Sequence, residues 1–141
     1  MATKLDAKNI DARVSLVGAY SMAPSFMGGG ENKTKAMATE AFALLEESLK
    51  KTPDHHFHLY WFGKSSAITG LKLDRGEECL LKYVTLTPKE GEPSIAGAYM
   101  RLGQLKEKKG NKAEAKKCYE TAVKLDRSLE GAKEGLKRTS K

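Results

Sequence analysis

Residues 99–127 read YMRLGQLKEKKGNKAEAKKCYETAVKLDR. Within them Tyr99, Leu102 and Gly103 follow one another at intervals of three and one, which places an aromatic, an aliphatic and a small residue along one side of a helix. Gly110 comes seven residues after Gly103, where that helix should give way to a turn. Ala115, Tyr119 and Ala122, spaced by four and three, then share one face of a second helix.

The same frame recurs upstream. Leu59, Phe62 and Gly63 repeat the first-helix pattern, and Gly70 again follows the small residue by seven. Gly76, Leu80, Tyr83 and Pro88 correspond to Ala115, Tyr119, Ala122 and Arg127, which makes Cys79 and Cys118 equivalent positions. A third copy has Leu16, Val17 and Tyr20 in its first helix and Ala41, Leu45, Ser48 and Pro53 in and after its second. Leu45 follows Val17 by 28 residues where Tyr119 follows Gly103 by 16, so this copy carries 12 more residues, mostly in the stretch Ala23 to Gly30. Self-similarity at a period near ~34 residues marks a helical solenoid.

The pattern resembles the tetratricopeptide repeat, whose small residues let paired helices approach while an aromatic fills the gap. Arg127 stands where the family usually has proline, and Lys106 where its first helix usually has tyrosine. The resemblance implies an all-α chain, an α–α superhelix (right-handed solenoid) of three helix pairs plus a C-terminal capping helix. As one domain over residues 1–141, it divides into a first repeat at about 10–53 with an expanded turn at 23–31, a second at about 54–88, a third at about 94–127 and the cap at 128–138. In the cap Leu129, Ala132 and Leu136 fall on one side, suited to cover the last hydrophobic face of a stack. The opening Leu5 to Asn9 looks like the end of a preceding repeat, so a longer parent chain of bacterial type is expected.

Local signals agree with this division. Asn9 can cap the first helix with Asp11 in its first turn, and Asp54 can cap the first helix of the second repeat. Asp74 with Glu77, and Asn111 with Glu114, have capping-box spacing. Pro24, Pro53, Pro88 and Pro93 all fall between the expected helices.

The net charge of +7 is lopsided. Residues 1–100 carry 12 Lys/Arg and 12 Asp/Glu, and residues 101–141 carry 13 and 6, which accounts for the whole excess. A basic end of this kind suits an acidic partner, or serves only as a solvated cap that complements helix dipoles. No apolar run approaches the ~20 residues a spanning helix needs. The first eleven residues are not a signal peptide, so the chain as given is expected in the cytoplasm, or in the periplasm or outside if a leader precedes it. Two cysteines are too few for a disulfide framework. On neighbouring second helices ~8–10 Å apart they would stay free, as small buried hydrophobes.

Catalysis finds no anchor, since neither a nucleophile motif nor a paired-carboxylate arrangement is present. Gly28-Gly29-Gly30-Glu31-Asn32-Lys33-Thr34 has the lysine and threonine of a phosphate loop but Asn32 in place of its glycine, and reads as a flexible turn. His55, His56 and His58 lie together, yet adjacent helical positions point apart, so no metal or other cofactor is expected and the imidazoles should be exposed at a helix start. The binding surface of a solenoid is its concave face, lined by the first helix of each pair. The residues on that face are Val14 and Ser21 in the first repeat, with Gly18; Phe57, Tyr60, Trp61 and Lys64 in the second, with Ala67; and Met100, Arg101 and Gln104 in the third, with Glu107. Tyr60 is expected in the groove, and Trp61 either in the groove or in the core.

Such a face implies a protein–protein interaction scaffold without catalysis, receiving a peptide or helix of a partner. Some tetratricopeptide domains grip a chaperone's C-terminal carboxylate with lysine, asparagine and arginine; here only Lys64 and Arg101 are available, and that clamp is not supported. The alternative is anion or nucleic-acid binding through Lys109, Lys112, Lys116, Lys117, Lys133, Lys137 and Arg138, without the aromatic platforms that single strands favour. Self-association is a third expectation, through an apolar repeat end near Ile10, Val14 and Val17.

Overall fold

The computed structural model describes residues 31–141 together with Ile10 and Ala12, both helical. Over residues 31–141 six helices follow one another: α1 (Glu31–Lys51), α2 (His56–Thr69), α3 (Leu73–Tyr83), α4 (Ile95–Lys108), α5 (Lys112–Leu125) and α6 (Glu130–Thr139). No strand occurs among the described residues. The architecture is an α–α helical repeat. The expected first-repeat positions Val14, Leu16, Val17, Gly18, Tyr20 and Ser21, the caps Asn9 and Asp11, and Pro24 lie outside the described residues. So does most of the expanded turn, although Glu31 already begins α1.

Two rows arise from the packing. Helix α2 packs on α1, α3 and α4, while α4 packs on α2, α3, α5 and α6, so α2, α4 and α6 form one continuous row. Helices α3 and α5 touch α4 but not each other. The expectation of adjacent second helices is therefore corrected: α4 stands between them, and Cys79 and Cys118 are both free thiols. Burial pushes the Cys79 thiol up to about 11, which leaves it inert at neutral pH.

Small residues set the close approaches. A Cβ on Gly63 would stand 2.1 Å from Leu80 Cγ, and one on Gly103 would stand 2.6 Å from the Tyr119 ring, both inside van der Waals contact. The other side of that ring is closed by α6, where a Cβ on Gly135 would come within 2.4 Å of it. Phe42 and Phe62 pack at 4.8 Å between centroids and tie α1 to α2, within ordinary aromatic-pair distance. Ile10 is 1% exposed and belongs to the same core. It is thus no part of an open repeat end; Val14 and Val17 lie outside the described residues.

The turns confirm some local signals and correct others. Asn111 caps α5, accepting from the Glu114 N–H at 3.3 Å, and Ser94 caps α4 through the Gly97 N–H at 3.0 Å. Gly70 and Gly110 adopt φ of 75° and 80°, the left-handed conformation that ends α2 and α4. Helix α3 has no capping box: it begins one residue before Asp74, after Lys72 at φ 52°, and no side chain caps it. Asp74 and Glu77 instead face α4 and hold Lys109 at 2.7 and 2.8 Å. Nor is Asp54 a cap. His55 takes that place for α2, and Asp54 pairs with Lys82 at 2.8 Å. Pro53, Pro88 and Pro93 all lie between helices.

Candidate functional site

The continuous row begins at α2, where Trp61 and Lys64 sit one turn apart. Trp61 is half-buried, with Lys64 Nζ 4.3 Å above its ring and the Tyr60 ring edge-on at 6.1 Å. Lys64 is itself half-buried. Its ammonium pKa is lowered, first by burial and then by the like charge of Arg101 on α4. Two cations are therefore held near each other at the centre of this face.

Arg101 also lines a cleft of about 390 Å³ together with Ala67, Ile68, Gln104, Glu107, Lys108 and Arg138. The periodicity of α4 explains its wall: Arg101, Gln104 and Lys108 recur at three and four residues and share one face. Arg101 donates from Nη1 to Gln104 Oε1 at 2.9 Å, while its Nε is buried and no hydrogen-bond partner reaches it. Glu107 is already engaged. Its carboxylate accepts from Tyr119 Oη and from Arg138 Nη2 at 3.0 Å. Burial works to raise the Glu107 pKa, but the hydrogen bonds from Arg138 and Tyr119 outweigh it and hold it low. The cleft thus has an apolar floor, three cations and one neutralised carboxylate.

One groove expectation needs correction, that for Tyr60, while Met100 is half-buried. Tyr60 is only 7% exposed and packs against Tyr83 at 5.5 Å, because its ring fills the junction of α2, α3 and α4. Met100 packs in the α5–α6 cluster, where Gly131 leaves room for its sulfur; a Cβ there would stand 2.7 Å from it. Phe57 is half-buried at the start of α2, beside a separate cleft with His55, His56, Lys89 and Glu92. Arg101 and Gln104 share the main cleft, whereas Val14 and Ser21 lie outside the described residues.

The expected basic surface is divided by its own ion pairs. Lys109 is held by Asp74 and Glu77, Lys133 by Glu130 at 2.9 Å, and Arg138 by Glu107. Lys112 donates to the backbone oxygen of Lys141. Lys116 is half-exposed, while Lys117 and Lys137 are exposed. Arg138, assigned from the sequence to that basic end, belongs to the cleft instead. Lys108 and Ile68 were missed, although each continues a helical face already identified, from Arg101 and from Lys64.

The histidines are not simply exposed. His58 is 2% exposed, meets Ser48 Oγ at 2.6 Å and stacks on His55 at 3.6 Å. Its pKa falls to about 4, from burial first and His55 second, so it is neutral at pH 7. His56 meets Glu92 at 2.6 Å and thereby fastens the long α3–α4 connection to α2. Among the described residues no group of three or more His, Cys, Asp or Glu is placed to hold a metal ion. None of the described helices is long and apolar enough to cross a membrane.

Comparison with known proteins now meets this geometry. Residues 96–129 match the tetratricopeptide-repeat family model, a span that takes in α4, α5 and their turn. No curated protein matches the chain. The chain is thus a tetratricopeptide-repeat-containing protein with an all-helical repeat fold, of a class that in general serves protein–protein interaction.

Proposed function

We propose that this chain is a non-catalytic scaffold whose inner row, α2–α4–α6, receives a segment of a protein partner. The observation that carries this reading is the cleft lined by Arg101 and Gln104, with the half-buried Lys64 near enough to feel the charge of Arg101. Arginine and tryptophan dominate interface energetics because they combine large contact area with directional or polar capacity. A cationic cleft over an apolar floor suits a partner that brings both charge and hydrocarbon.

Nucleic-acid binding at the basic end has less support, since Lys109, Lys133 and Arg138 are spent on intramolecular pairs. The test is to crosslink the tagged protein in its source cell with and without Lys64→Glu plus Arg101→Glu. Loss of a co-purifying protein at unchanged melting temperature supports the groove. Retention of that protein in the double variant removes this placement, and release of it by moderate salt transfers the reading to Lys116, Lys117 and Lys137.

A further inference from the structure

Two neighbouring helices of the inner row bring cations to the same face, Lys64 on α2 and Arg101 and Lys108 on α4, while Arg138 on α6 is paired with Glu107. Like charges gathered at a partly buried surface repel one another, and a bound anion relieves that cost. The buried Nε of Arg101 still has a hydrogen to give. Gln104, its oxygen engaged by that same arginine, offers amide N–H groups beside it. Ala67 and Ile68 supply an apolar floor to the same cleft.

We infer that the cleft reads an acidic side chain, Asp or Glu, within an extended partner segment, the carboxylate meeting Arg101 and Gln104 and the neighbouring hydrocarbon lying on Ala67 and Ile68. This rests on the scaffold reading and names the chemistry of its ligand. The spread of cations over two helices, from Lys64 to Lys108, fits carboxylates distributed along a segment better than the single carboxylate of a chain terminus. Arginine suits the task because its planar fork matches a carboxylate in two parallel hydrogen bonds. Glu107 does not compete, being held by Tyr119 and Arg138.

The experiment titrates the 141-residue chain into two fluorescein-labelled peptides, acetylated and amidated, one alternating Glu with Leu and the other Gln with Leu. The Glu peptide is expected to bind at least about tenfold more tightly, with an affinity that falls as salt rises. Arg101→Gln should weaken it about tenfold or more, and Arg101→Lys by an intermediate factor because charge survives without the fork. Lys116→Gln with Lys117→Gln, on the outer helix α5, should leave affinity within about twofold, as expected of remote exposed charges.

Equal binding of the two peptides overturns the inference. So does equal sensitivity to the α5 pair, or a requirement for a free C-terminal carboxylate. If Arg101→Gln does not fold, the Arg101 Nε–H resonance of the native chain, assigned by its disappearance in Arg101→Lys, gives the answer. Movement on addition of the Glu peptide supports the cleft, and a stationary signal removes it. A cellular partner that depends on Lys64 and Arg101, found while the Glu peptide fails to bind, leaves the scaffold reading standing and sinks this one alone.

Discussion

In the α4–α5 pair a tyrosine ring closes over Gly103, and in the α2–α3 pair a leucine closes over Gly63. The geometry is shared but the surroundings differ. Leu80 lies in a large cluster with Phe42, Phe62, Leu59 and Tyr83, all bulky enough to shift toward a gap. Tyr119 has Ala115, Ala122 and Ala132 as its buried companions and a second glycine, Gly135, behind it. The earlier pair is stabilised by many fully buried side chains, whereas the later one centres on one ring, with Tyr99, Met100, Val123, Leu129 and Leu136 only partly buried around it. A repeat position therefore fixes how closely helices approach without fixing how much stability rests on it.

The largest expected effect separates the pairs directly. Tyr119→Ala should cost about 3–5 kcal/mol, near the top of the range for buried aromatics, because its fully buried neighbours are alanines and glycines, which leaves only partly buried side chains to relax into the cavity. Leu80→Ala should cost less, about 2–3 kcal/mol, since its larger neighbours can relax. Urea unfolding of both variants checks the order, and limited proteolysis of Tyr119→Ala should cut first near α6. An equal cost for the two would break the comparison.

Acid sharpens it from the other side. His58 anchors the α1–α2 contact through Ser48, and its folded pKa of about 4 lies below the ordinary 6.5. Between those values the unfolded chain binds a proton that the folded chain does not, so stability falls as pH drops from 6.5 toward 4. The contribution is about 3 kcal/mol over the whole window. His58→Gln should flatten the dependence by about 2–2.5 kcal/mol, measured as the difference between the two chains in urea at pH 7 and pH 4.5.

Adding one methyl group tests the glycines themselves. Gly103→Ala should cost about 2–3 kcal/mol, because the ring it meets is trapped between two glycines. Gly63→Ala should cost about 1–2 kcal/mol, as Leu80 can change rotamer within a core of aliphatic and aromatic neighbours. Thermal melts of the two variants give the comparison.

The smallest effects concern the turns. Removal of the α5 cap by Asn111→Ala should cost about 1 kcal/mol. Lys72→Gly should have the opposite sign and stabilise by up to about 1 kcal/mol, since φ 52° strains any residue with a Cβ. A loss of stability in Lys72→Gly would show that the α3 entry is held by something other than its backbone.

The positions that bury into the repeat were legible before any coordinates. Gly63, Leu80, Gly103, Ala115, Tyr119 and Ala122 declare themselves by size and spacing, because helical geometry alone brings residues three and four apart onto one face. Turn glycines and the Asn111 cap were equally local, requiring only neighbouring backbone. The site was legible in part: Arg101, Gln104 and Lys64 stand on the inner row as their periodicity indicated. Periodicity could not distinguish Tyr60 from them, since whether an inner-face side chain meets solvent depends on what the next helix lays across it. The long α3–α4 connection lets α4 cover Tyr60, and the cap α6 both seats Met100 and delivers Arg138 to the cleft. What the sequence by itself determined was the set of residues able to face inward on each helix. Which of them remained open, and which distant charges met there, was decided by helix-on-helix packing, because burial and electrostatic proximity are properties of neighbours in space rather than along the chain.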